Sequence, residues 1–203
     1  MTIANGYTDL ATFKARFYPA GITDTTDDTV IENVIEAVSR QIDNYTGRRF
    51  YVTASDETRY FSAEHSEYLD AGDVVSITTL ATDEDNDRVY EHTWATTDYD
   101  LLPFNASLDS KPYTRLELTP LGNYSFPSGP KAVKIVGKWG YPAVPDAINE
   151  ACCIQSLRIF KRKDAPFGVT GSAEMGQLMV IPRLDPDVKM LLDPYRKMDI
   201  VGI

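Results

Sequence analysis

Asp83, Asp85 and Asp87 occupy the first, third and fifth places of a calcium loop, a spacing that can aim three carboxylates at one hard cation. The match then breaks. Arg88 stands where such a loop turns on glycine and Trp94 where it needs a bidentate glutamate, so Asp83-Glu84-Asp85-Asn86-Asp87 reads as an acidic β-turn. His65 follows Glu64 and His92 follows Glu91, but neither has a third group at the spacing of a nucleophile and its base. Cys152 and Cys153 are adjacent, so on a helix their side chains diverge by ~100° and cannot close a disulfide on each other. They form no zinc spacing with the two histidines and read as buried free thiols. Gly137-Lys138 lacks the earlier glycine and the following Ser or Thr of a phosphate loop. No catalytic residue, cofactor or metal is therefore expected, and the chain is not read as an enzyme.

The remaining concentration of charge is Arg158, Lys161, Arg162 and Lys163, at the end of a helix. Cations there complement the helix dipole, and a solvated helix end explains them as well as a binding role does. The binding role would be contact with an acidic patch on a neighbour, for which Asp24 to Asp28 and Asp83 to Asp87 are candidate mates.

The elements that position these residues are legible from periodicity. The spacing predicts helices near 8–17, capped by Thr8, and 27–46, capped by Thr25 or Thr26. Val30, Ile31, Val34, Ile35, Val38, Ile42 and Tyr45 form the apolar stripe of the second, and Gly47 its C-cap. A third helix is predicted over 145–163, entered at Pro145-Asp146 and stopped by Pro166 and Gly168. A fourth is predicted over 185–197, with Pro186 at its first position and Pro194 kinking or ending it. Between the long helices, about 50–141, β-branched and aromatic runs predict strands near 58–61, 67–69, 74–80, 99–102, 113–118 and 131–138. No Gly/Ser- or Pro-rich linker bounds this stretch. The expected class is thus α+β, a small helical bundle with an inserted antiparallel β-rich segment, in one domain over 1–203, with a mobile loop or loose hairpin over 164–182.

The chain has 203 residues, of which 43% are hydrophobic, enough for a real core. Thirty acidic against 20 basic residues give a formal net charge of -10, which argues against binding nucleic acid over the whole surface. No apolar run approaches the ~20 residues of a membrane span, and no signal peptide is read, so the expected place of synthesis and residence is the cytosol.

Gly137-Lys138-Trp139-Gly140-Tyr141-Pro142, then Val144-Pro145 and a helix ending Arg158-Ile159-Phe160-Lys161-Arg162, resembles the head-tail connector (adaptor, or head-completion) proteins of long-tailed bacteriophages. The resemblance recurs at Thr26-Asp27-Asp28 leading to Ile42-Asp43-Asn44-Tyr45-Thr46-Gly47-Arg48-Arg49-Phe50, and at Leu191-Leu192-Asp193-Pro194-Tyr195-Arg196. It implies a structural virion protein at the head-tail interface, assembled in the host cytoplasm into a ring, dodecameric in such families, on the portal vertex. The implied partners are further copies of the chain, the portal protein, a stopper or tail-side protein, and double-stranded DNA passing an acidic lumen without sequence-specific binding. No membrane partner is implied. The subunit or portal interface is then expected at Arg158, Lys161, Arg162, Lys163, Phe167, Leu178, Val180, Ile181, Tyr195 and Ile203. The long β-rich middle departs from the family's shorter members and could dock a decoration or tail protein. The competing reading is a monomeric phage or bacterial protein-binding module.

Overall fold

The structure is a computed structural model that describes residues 3–18, 24–120, 122–163, 169–170, 179–180 and 184–197, with backbone alone at 163, 169, 170, 179 and 180. The chain divides into two compact units, residues 1–48 with 144–203, and residues 49–143.

The first unit is helical. Helix α1 (Leu10–Phe17) is capped by Asp9, whose carboxylate accepts the Thr12 N–H at 2.7 Å, rather than by Thr8. Thr8 is instead buried, its hydroxyl 3.1 Å from Cys153 Sγ, and so is unavailable to cap. Helix α2 (Asp28–Thr46) is entered at Asp27, not at Thr25 or Thr26, because Thr26 is held in a local turn by Asp24, whose Oδ1 accepts both its N–H and its hydroxyl. Ile31, Ile35, Val38 and Ile42 form its buried stripe, and Gly47 ends it as expected. Helix α3 (Asp146–Phe160) follows Pro145 at the N-cap and passes into a 3-10 turn, Lys161–Lys163. It buries Ile148, Ala151, Cys152 and Phe160, the last with its ring edge-on to Phe13 at 6.4 Å. Helix α4 (Pro186–Leu192) has Asp185 as N-cap and Pro at its start, and Pro194 turns it into a 3-10 turn, Asp193–Tyr195.

The second unit is an antiparallel sheet whose strands are β1 (Glu57–Phe61), β2 (Tyr68–Thr82), β3 (His92–Thr93), β4 (Tyr99–Leu102), β5 (Tyr113–Leu118) and β6 (Val133–Trp139), in the order β1-β6-β2-β5-β4 with β3 on β2. The two strands expected at 67–69 and 74–80 are one. The Asp70-to-Asp73 stretch is a bulge that shifts register between Asp70 and Val74 and bends β2 without ending its pairing. Beyond that bend β2 exchanges β5 for β6 along most of its length. The sheet closes over a core that includes Leu69, Val74, Leu80, Trp94, Leu116, Phe126, Ile135 and Trp139. A short antiparallel pair, β7 (Val169–Thr170) with β8 (Met179–Val180), lies within the segment expected as a mobile loop. The rest of that segment is outside the described residues. The architecture is α+β, as the periodicity predicts.

Candidate assembly surfaces

The residues that could have done chemistry are committed to structure. Cys152 and Cys153 are buried and unbridged. Burial pushes the Cys152 thiol up to about 11, against the hydrogen bonds it shares with Ser39 and Ser156, and burial raises Cys153 as well, so neither is a thiolate at neutral pH. His65 stacks on Tyr68 with ring centroids 4.3 Å apart, and the Arg115 guanidinium lies 4.3 Å from the same ring. His65 and Tyr68 line a cleft of about 140 Å³ with Ser62, Glu64, Leu69 and Asp70, too small for an ordinary organic ligand. His92 stacks on Tyr124 at 5.0 Å, and Trp94 continues that ladder to Phe126 at 4.7 Å.

The acidic turn joins β2 to β3. Asp83 is fully buried, and its two oxygens accept the N–H groups of Asn86 at 2.7 Å and Arg88 at 2.9 Å. Those bonds hold Asn86 and Arg88 at φ of 64° and 75°. Asp83, Asp85, Asp87 and Glu91 each bring one oxygen to within 4.8 Å of the others. The deepest of the four, Asp83, serves as the turn's internal acceptor.

The basic residues differ in burial. The Arg158 guanidinium is 15% exposed and lies 3.4 Å from the Asp185 carboxylate, which joins the end of α3 to the N-cap of α4. Lys161 and Arg162 are exposed in the turn that follows, where Lys163 also lies. Of the other expected interface residues, Tyr195 is half-buried in the 3-10 turn after α4, and Val180 pairs with Val169. Phe167, Leu178, Ile181 and Ile203 lie outside the described residues. Of the acidic mates, Asp28 pairs with Lys14, whose ammonium also donates to the Asp24 carbonyl at 2.7 Å.

Several residues of the sequence blocks singled out above join one element to another. The Tyr45 hydroxyl donates to Asp193 at 2.6 Å, which raises the Tyr45 phenol and holds the Asp193 carboxyl below its usual range. Arg196 stands 5.2 Å from the Tyr45 ring, and the Lys197 N–H donates to the Thr46 carbonyl at 2.8 Å, so the end of α2 is tied to the turn after α4. Within the sheet unit, Phe50 packs on Tyr141 at 4.8 Å. Gly140 adopts φ 102°, and a Cβ there would fall 1.9 Å from the Tyr51 carbonyl oxygen. A Cβ on Gly137 would fall 2.1 Å from that of Ser76. The glycines of the Gly-Lys-Trp-Gly run thus let two backbones pass in contact.

Val30, placed by periodicity in the apolar stripe of α2, is 45% exposed, and four other exposed large apolar residues were not singled out by the sequence. Phe104 and Leu108 sit in the connection between β4 and β5 at 67% and 82% exposure, and Tyr60 on β1 and Val89 before β3 at 50% and 57%. The available signal was two large apolar residues inside a Pro-, Asn-, Ser- and Asp-rich turn. Among the described residues, no helix is long and apolar enough to cross a membrane.

Residues 7–99 match the family model of phage gp6-like head-tail connector proteins. No curated protein compared matches the chain. Among solved structures, the fold is similar to a chain in the neck of an empty gene transfer agent particle computed with C6 symmetry. That chain is 14% identical at a TM-score of 0.55, over 100% of this chain and 95% of the other. It is similar also to a chain in the neck of the native particle computed with C12 symmetry, at 14% identity, a TM-score of 0.54 and the same coverage.

Proposed function

We propose that this chain, whose residues 7–99 match the family model of phage gp6-like head-tail connector proteins, is a structural adaptor rather than an enzyme and forms a ring on the portal vertex of a virion. The ring extends the DNA channel and is the platform on which a stopper or tail-side protein docks. The observation that carries this reading is the family match, supported by a fold similarity that runs the whole length of this chain to components of particle necks with six- and twelve-fold symmetry. A dodecamer is the expected closed form, and a closed ring requires two unlike surfaces on every subunit. The net charge of -10 suits a lumen through which DNA passes without sticking, since like charge supplies no counterion-release gain. The exposed Lys161 and Arg162, with Lys163, Phe167, Leu178, Val180, Ile181, Tyr195 and Ile203, are the proposed subunit or portal contacts. Arg158 contributes to them by fixing α4 through Asp185. Assembly takes place in the host cytoplasm.

Native mass spectrometry over a concentration series, with and without the purified portal ring, tests this. A closed ring, alone or only on the portal, is the expected result. A monomer indifferent to the portal would replace the adaptor with a stand-alone protein-binding module.

A further inference from the structure

Residues 185–197, which comprise α4 with its N-cap and the 3-10 turn that follows, lie on the helical unit with little apolar burial. Val188 and Leu192 are the buried side chains of α4 and the turn adds none, whereas α2 buries six and α3 seven. A helix of 7 residues is too short to hold its shape unaided in water, so the place of α4 depends on what ties it down.

The ties are polar. At the N-terminal end the Asp185 carboxylate meets Arg158 of α3 at 3.4 Å, the more enclosed of the contacts. At the C-terminal end Asp193 accepts the Tyr45 hydroxyl of α2 at 2.6 Å, Arg196 stands 5.2 Å from the same ring, and the Lys197 N–H donates to the Thr46 carbonyl at 2.8 Å. Lys189, on α4 itself and with its side chain 58% exposed, also reaches Asp193, at 3.0 Å. Asp193 therefore keeps a cation of its own element when it parts from Tyr45, and its charge is not stranded. Surface ties of this kind contribute little each and are screened by salt. Two buried apolar side chains held by solvent-accessible polar bonds describe a segment that opens before the rest of its fold.

We propose that residues 185–197 are a strap that opens as one unit from α2 and α3 while both helices stay folded, and that Asp193 latches it shut on Tyr45. The opening is a property of the single chain and does not depend on the ring reading. It makes this end of the chain the movable part of the helical unit, and Tyr195, half-buried in the closed strap, moves with it.

Hydrogen exchange of the full chain, followed by mass spectrometry over a series of low urea concentrations, tests this. Amides of 186–197 are expected to exchange faster than those of α2 and α3 and to respond less steeply to urea, because a local opening exposes less surface than unfolding does. D193N and Y45F should each speed exchange of the strap about fivefold, and the double variant no more than either, since both remove one bond. M190A, at a site 71% exposed, should leave it within about twofold. A staple supplies the opposite change. A Cβ on Gly47 would fall 3.5 Å from that of Lys197, within the range a disulfide requires. Oxidised G47C/K197C is expected to exchange its strap at least about tenfold more slowly than the same protein reduced, a comparison in which the strain of a side chain at the positive φ of residue 47 cancels. Strap amides that respond to urea as steeply as those of α2, or a staple without effect, would overturn the independent opening. D193N and Y45F that behave like M190A would overturn the latch.

Discussion

Cys152 shows how burial decides the chemistry of a single side chain. Its thiol is enclosed beside Ser39, at 3.6 Å, and Ser156, at 3.9 Å, and desolvation outweighs both hydrogen bonds. The folded state therefore holds the Cys152 proton more tightly than the unfolded chain does. The associated stability is fully present below the ordinary value of 9.0 and is lost as pH rises through about 11. Thermal melts over that window should lose on the order of 3 kcal/mol, and a Cys152→Ala variant should show a shallower decline. A maleimide reagent at neutral pH should label neither cysteine until the protein unfolds. Rapid labelling of the native protein would contradict this burial.

At the scale of elements, the chain solves its helix ends with acids more than with hydroxyls. Asp9 caps α1 and Asp185 caps α4, where its Oδ1 accepts the Asp187 N–H at 3.0 Å while Oδ2 meets Arg158. Asp185 thus serves two helices at once. Removing it in Asp185→Ala takes away a cap and leaves a mostly buried guanidinium without this carboxylate, an expected loss of about 1–3 kcal/mol by thermal denaturation. Asp187→Ala, which alters an exposed first-turn acid, should stay within about 0.5 kcal/mol. Equal effects from the two would remove the special role given to Asp185.

At the scale of the whole molecule, two cores stand in one chain. The helical unit buries Phe13, Ile35, Ile148 and Leu192, and the sheet unit buries Trp94, Leu116, Ile135 and Trp139. The sheet unit is contiguous in sequence, and its edge features, Phe50 on Tyr141 and Gly140 against Tyr51, lie inside it. Residues 49–143 expressed alone should therefore fold cooperatively and give a dispersed amide spectrum in NMR. A collapsed spectrum would mean that this core depends on the remainder of the chain. Exposed basic and apolar side chains are found on different units. The helical unit carries Lys161 and Arg162, and the sheet unit carries Phe104 and Tyr60.

The 3.6-residue stripe from Ile31 to Ile42 determines α2, because a one-sided apolar helix has few other ways to be buried. Pro186 and Pro194 likewise set the bounds of α4 through their own φ, and alternation announced β5 and β6. The absence of a complete catalytic or metal spacing was also a property of the sequence alone, as was the order of the connector-like blocks. The α1 cap was misread because a residue had a distant partner. Thr8 does not cap α1 because Cys153 lies beside it, and the pairing of Arg158 with Asp185, 27 residues on, likewise left no mark in the local sequence. The Asp70-to-Asp73 stretch read as a break because turn residues cluster there, yet pairing to β5 and β6 carries β2 through the bend. Whether Phe104 and Leu108 fill a core or face solvent is set by the packing of every other element, so composition and period left it open. Only the tertiary structure, by filling the sheet's core without them, turned two turn residues into a surface.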